Sequence, residues 1–165
     1  MNPTGFGMKV HSTSNASTRY GKKICTRKTK TMARLVLDTN SLIQCIARRS
    51  RYHTLWLSFL DGHNQLCVSN EILEEYEEIL ERKASHQFAM LAINVIVNNP
   101  HTVFVTPYYH FNLIATDPDD NKFVDCAVAG NAKFIVTEDR HYDILRQIDF
   151  PKIEIIGLDK MMEKL

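Results

Sequence analysis

The sequence predicts an α/β protein, a three-layer α/β/α sandwich around a central, mainly parallel sheet of about five strands. Three observations carry this expectation. Short apolar runs alternate with longer stretches of helical periodicity through residues 33–165, the pattern of strands joined by helical crossovers. The apolar runs are continuous, as strands buried on both faces require. The segment is long enough to bury one core, and 44% hydrophobic residues in the whole chain suit a globular protein.

The first β-rich run is Arg34-Leu-Val-Leu-Asp38, which ends in an acid. Residues 41–49 follow as a helix, with Leu42, Ile43 and Ile46 at helical spacing. A second helix covers about 52–60, where Leu55, Trp56, Phe59 and Leu60 form one stripe, and Asp61-Gly-His-Asn64 is a turn signal. Gln65-Leu-Cys-Val-Ser69 is the second strand. Ser69 and Asn70 then cap a strongly acidic helix to about Lys83. Residues 85–98 form another helix, stopped by Asn98-Asn-Pro100. The third strand is 102–105. A loop with Pro107 and Pro118 leads into a helix over about 119–130. Lys133-Phe-Ile-Val-Thr137 is the fourth strand. A short helix and Pro151 precede the fifth, 153–156, and the chain ends in a helical turn.

Charge divides the chain unevenly. The net charge is +1, yet residues 1–33 hold seven basic residues and no acid, so the remainder carries 13 bases against 19 acids, a balance of −6. Residues 1–32 are rich in Ser, Thr, Asn, Gly and Lys, and such a segment buries too little apolar surface to offset the entropy of ordering. A disordered basic extension is the expectation, with an arm that holds nucleic acid as the second reading. Met32, just before the first strand, is a candidate start of translation. No apolar run approaches the roughly 20 residues of a membrane span, and no apolar stretch follows the early charges as in a secretory signal. Cys25, Cys45, Cys67 and Cys126 form no C-x-x-C pair. That argues against structural zinc and a disulfide scaffold and favours a reducing cytoplasm.

The acids fall where chemistry is expected. In an open parallel sheet, ligands bind beyond the carboxyl ends of the strands. Asp38 stands there directly, and Asp139 follows the fourth strand by two residues. On the acidic helix, Ile72, Leu73, Tyr76, Ile79 and Leu80 fill one arc at about 100° per residue. Glu74 and Glu81 lie on the far side, while Glu75 and Glu77 border the arc, and geometry does not choose between them. After Pro118, Phe123, Val124, Ala127 and Val128 form the buried stripe. Asp120 aligns with it and points inward, whereas Asp125 lies well off it. Helix capping accounts for Asp117 and Asp119. Converging carboxylates repel one another unless a cation neutralises them. All-oxygen ligation selects Mg²⁺ or Mn²⁺, ions suited to phosphoryl chemistry.

Four stretches together resemble the PIN domain family. They are Leu35-Val-Leu-Asp-Thr-Asn-Ser-Leu-Ile43, Val68-Ser-Asn-Glu-Ile-Leu-Glu-Glu-Tyr76, Asp117-Pro-Asp-Asp-Asn-Lys-Phe123 and Ile135-Val-Thr-Glu-Asp139. The likeness spans about 33–160 and is greatest to bacterial PIN toxins of toxin–antitoxin pairs. It implies a Mg²⁺- or Mn²⁺-dependent endoribonuclease domain over 33–165, acting on single-stranded RNA. The implied cluster of catalytic and metal-binding acids is Asp38, Glu75, Asp120 and Asp139. Family spacing from Ser69 selects Glu75 over Glu77. The stretch from Asp120 to Thr137 is about one residue longer than the common toxin pattern, which leaves Asp117 as the alternative third ligand. Asn40 and Thr137 match positions that support the site by hydrogen bonding. Lys122 and Arg140, beside motif acids, are candidates for phosphate contact. The implied partners are RNA and a small antitoxin protein; a homo-oligomer stays open, and no membrane partner is expected.

Other readings are weaker. The seven histidines are dispersed, without H-E-x-x-H, and read as surface residues, with His141 the one nearest a motif acid. Cys126 reads as a small core residue. Trp56 and the Tyr108-Tyr109 pair read as core and loop aromatics rather than base-stacking platforms. A haloacid-type phosphatase needs a second Asp two residues after the first, and position 40 is Asn. The main rival is a PIN-like module that binds RNA or protein without cleaving it.

Overall fold

The computed structural model describes residues 32–165; apart from Met32, the predicted basic extension lies outside the described residues. The elements run β1 (Ala33–Leu37), α1 (Thr39–Ile46), α2 (His53–Leu60), β2 (Asn64–Val68), α3 (Asn70–Lys83), α4 (His86–Asn98), β3 (Thr102–Phe104), the 3₁₀ helix η1 (Pro118–Asp120), α5 (Asn121–Ala129), β4 (Phe134–Val136), the 3₁₀ helix η2 (Arg140–Gln147), β5 (Glu154–Ile156) and α6 (Leu158–Glu163).

The five strands form one sheet in the order β3-β2-β1-β4-β5, and every pairing is parallel. Leu35, Val36 and Leu37 of β1 are all buried, as are Phe134, Ile135 and Val136 of β4. Successive strand residues point to opposite faces, so both faces of the sheet are covered, as the sequence predicts. Helix α5 packs on β1, β2 and β4, while α2 packs on β2 and α6. With β1 central, chain order reverses there: β2 lies on one side and β4 on the other. Their carboxyl ends therefore open onto one crevice.

Local chemistry sets the element boundaries. Helix α1 begins at Thr39, two residues before the predicted start, because the Asp38 carbonyl already accepts from Leu42 N at 2.8 Å. Ser69 and Ser85 cap α3 and α4 by accepting from Ile72 N and Phe88 N. The single helix expected over 119–130 is divided into η1 and α5. Asp117 caps η1 through Asp119 N, and the Asn121 side chain is spent on Ile114 N, Ile114 O and Pro118 O. The turn after α2 needs Gly62, whose φ is +77° and whose open side faces the His101 ring.

Tyr76 ties α3 to the sheet edge that carries the site. It is fully buried, and its hydroxyl donates to the Leu37 carbonyl, next to Asp38. Tyr76→Phe leaves that buried carbonyl without its donor and should cost about 1–2 kcal/mol. Thermal unfolding should then fall by roughly 3–6 °C; an unchanged midpoint would show that the bond carries no stability.

Candidate active site

Asp38 is delivered by the end of β1. It occupies the helix α1 cap position in an extended conformation, with no side-chain cap bond. Its carboxylate is instead free for the crevice, where Oδ2 accepts from the Thr137 hydroxyl at 3.2 Å. Thr137 also accepts from Asp139 N at 3.0 Å, so one β4-end hydroxyl links two acids. Asp38 is only 7% exposed. Burial, helped by the charges of Asp120 and Glu75, pushes its acid up from 3.8 to about 6, against the opposing bond from Thr137.

Glu75 stands on the α5-facing side of α3. One oxygen accepts from the Thr39 hydroxyl, and the other pairs with Lys122 Nζ at 2.5 Å. These contacts distinguish Glu75 from Glu77, the other border acid of the arc. The Lys122 side chain is 20% exposed and is held by Glu75, because α5 presents position 122 toward α3, and it lines the same cleft. The Asn40 carboxamide accepts from Lys83 at 3.0 Å, where the exposed start of α1 meets the end of α3. Arg140 is exposed at the start of η2.

Asp120 points inward at the junction of η1 and α5. The buried Tyr142 hydroxyl donates to its Oδ1 at 3.1 Å. Its Oδ2 is buried without a hydrogen-bond donor; His141 Nδ1 is 3.7 Å away, beyond hydrogen-bond distance. Burial raises the Asp120 acid, the charges of Asp117 and Asp139 raise it further, and Tyr142 and His141 lower it. Asp117 is more open, its side chain 43% exposed, with one oxygen committed to capping η1. Asp139 receives His141 N on Oδ1 at 2.9 Å.

The structure thus places Asp38, Glu75 and Asp120 within electrostatic reach of one another, and Asp117, Asp139 and His141 around Asp120. Glu75, Asp117, Asp120 and Lys122 line an acidic cleft of ≈ 700 Å³, whose walls include the otherwise exposed Glu71, Glu74 and Glu78. A buried carboxylate oxygen with no donor costs about 1–3 kcal/mol, and a cation beside it removes that cost. The donor chemistry therefore fits a divalent ion. Asp117, Asp120 and His141 offer ligand atoms within 4.8 Å of one another.

Asp125 escaped the sequence analysis. It lies off the apolar stripe as predicted, yet it is buried, because the loop before η1 folds over that side of α5. Phe111 N and His110 Nδ1 each contact its carboxylate at 2.9 Å. With Asn121 it pins this loop beside the cleft. The available signal was weak: an acid off the apolar stripe, with a histidine, His110, in the preceding loop.

The PIN domain sequence profile matches residues 34–141. No curated protein is significantly similar in sequence. VapBC2 from Rickettsia felis, bound to a DNA fragment from their promoter, matches with a TM-score of 0.54 and 16% identity, over 75% of this chain and 98% of that one. DNA-bound VapBC from Salmonella typhimurium matches with a TM-score of 0.54 and 19% identity, over 77% of this chain and 99% of that one. At such identities the likeness is one of fold.

The raised acid of Asp38 has a consequence for stability. The folded state holds its proton to about pH 6 and the unfolded chain only to about 3.8. The metal-free fold therefore loses stability as pH rises through that window. Asp38→Asn should make the metal-free protein about 2–3 kcal/mol more stable than wild type at pH 7.5, with the difference fading near pH 4. Denaturant unfolding in a chelator measures both; a variant less stable at pH 7.5 would refute the charge conflict at this residue.

Proposed function

Because the chain belongs to the PIN domain family and gathers its acids at the carboxyl edge of a parallel sheet, we propose that it is a divalent-metal-dependent endoribonuclease. Its substrate on this reading is single-stranded RNA, and its role is that of the toxin in a toxin–antitoxin pair. The observation that carries the proposal is the buried, donorless oxygen of Asp120, set beside the charges of Asp117 and Asp139. A structural carboxylate would be expected to have its lone pairs satisfied; this one is left open to a cation.

Asp38, Asp120 and Asp139 would hold Mg²⁺ or Mn²⁺, with Asp117 beside them. The bound ion would supply a water nucleophile at neutral pH and stabilise charge on the phosphate. The chain's own groups prepare that chemistry. Thr137 and Tyr142 fix the carboxylates of Asp38 and Asp120 by their hydroxyls. Glu75, held by Thr39 and Lys122, is the carboxylate best placed to orient a water and accept its proton. Arg140 is exposed beside Asp139 and suits a flanking RNA phosphate.

The resemblance to PIN toxins and the fold shared with VapBC structures support a small antitoxin protein as partner. Among the described residues, no helix is long and apolar enough to cross a membrane. Cys45, Cys67 and Cys126 are free and buried, which suits a cytoplasmic setting.

A mixed RNA pool incubated with the full-length protein and Mn²⁺ tests this reading. Cleavage should require the ion and fall by about 10²-fold or more in Asp120→Asn. Cleavage that survives both chelation and the substitution would contradict the metal mechanism. Binding of RNA by wild type without any cleavage would identify a binding module instead.

A further inference from the structure

The imidazole of His141 lies at the mouth of the acid cluster, outside the set of four acids that the family pattern supplies. Its Nδ1 is 3.4 Å from Asp139 Oδ1, 3.7 Å from Asp120 Oδ2 and 3.8 Å from Asp117 Oδ2. These separations are longer than hydrogen bonds. Metal–ligand bonds of roughly 2.0–2.2 Å place neighbouring donors roughly 3–3.6 Å apart, close to the spacing seen here.

Each of these groups also has capacity to spare. Asp120 Oδ2 has no donor. Asp117 uses its other oxygen to cap η1. His141 makes no hydrogen bond through Nδ1, while its own backbone N–H is fixed to Asp139. The next residue, Tyr142, holds the opposite oxygen of Asp120. Successive residues of η2 thus address both oxygens of one carboxylate, one by hydrogen bonding and the other across an ion-sized gap.

We propose that His141 is a direct ligand of the divalent ion, and that it makes the site selective for a first-row transition ion, represented by Mn²⁺, over Mg²⁺. The proposal rests on the metal-dependent reading above and deepens it. Carboxylates alone serve Mg²⁺ and Mn²⁺ alike, whereas a neutral imidazole is a better ligand for transition ions than for Mg²⁺.

Calorimetric titration of the metal-free, full-length protein with MnCl₂ and with MgCl₂ at pH 7.5, without RNA, tests this directly. Wild type should bind Mn²⁺ about tenfold or more tightly than Mg²⁺. His141→Ala should lose about tenfold in Mn²⁺ affinity while Mg²⁺ affinity changes less than about twofold. His141→Asp, which restores an oxygen ligand, should recover affinity for both ions without recovering the preference. The side chain is 45% exposed, so neither substitution removes a buried contact. If both affinities rise in His141→Ala, the residue is only a cation competing with the metal and the proposal fails. If neither changes, His141 is not a ligand and the proposal also fails, while the metal-dependent reading survives. Absence of Mn²⁺ binding to wild type would overturn both.

Discussion

The structure turns on a conflict among carboxylates. A parallel sheet with its chain reversal at β1 brings the ends of β1 and β4 to one crevice, and the sequence puts an acid at each. Asp38 cannot leave, because β1 is the central strand and its neighbours Leu37 and Thr39 are buried. Held there, it meets low polarity and the charges of Asp120 and Glu75, and its proton is retained to about pH 6. The surrounding polar design is a response to that constraint.

The response differs from acid to acid. Glu75 is balanced within the protein by the Lys122 ammonium and the Thr39 hydroxyl. Asp38 and Asp120 are held by the neutral hydroxyls of Thr137 and Tyr142, which orient carboxylates without cancelling their charge. Asp120 keeps one oxygen unserved. The cluster is thus divided into a neutralised acid and acids that still require a cation. On the proposed reading, Glu75 would handle water or protons and the aspartates would hold the ion. The division also bears on the excess of acids in residues 34–165. Part of that excess is matched by internal pairing, and on the proposed reading a bound ion would match a further part and lessen the repulsion an RNA backbone would meet.

The fold was legible because its signals are local and repeated. Continuous apolar runs such as Leu35–Leu37 and Phe134–Val136 mark doubly covered strands, and serine caps mark α3 and α4. The inward alignment of Asp120 could be read from helical angle alone. The boundaries of α1 and α5 could not, because they depend on where single side chains such as Asn121 find backbone partners. The same limit explains Lys122, Asn40 and Asp125. Each is decided by a neighbour distant in sequence: Glu75 across two helices, Lys83 at the far end of α3, and the loop that folds over α5. Spacing along one helix carries no information about such partners.

The central claim is that these carboxylates form one cation site organised around the open oxygen of Asp120. A crystal structure of the protein soaked in Mn²⁺, with anomalous difference density, tests it most directly. The claim requires a peak bonded to Asp120 Oδ2, with further ligands drawn from Asp38, Asp117, Asp139 and His141, and with Lys122 still on Glu75. A peak seated on the exposed glutamates of α3, or none at all at millimolar Mn²⁺, would contradict it.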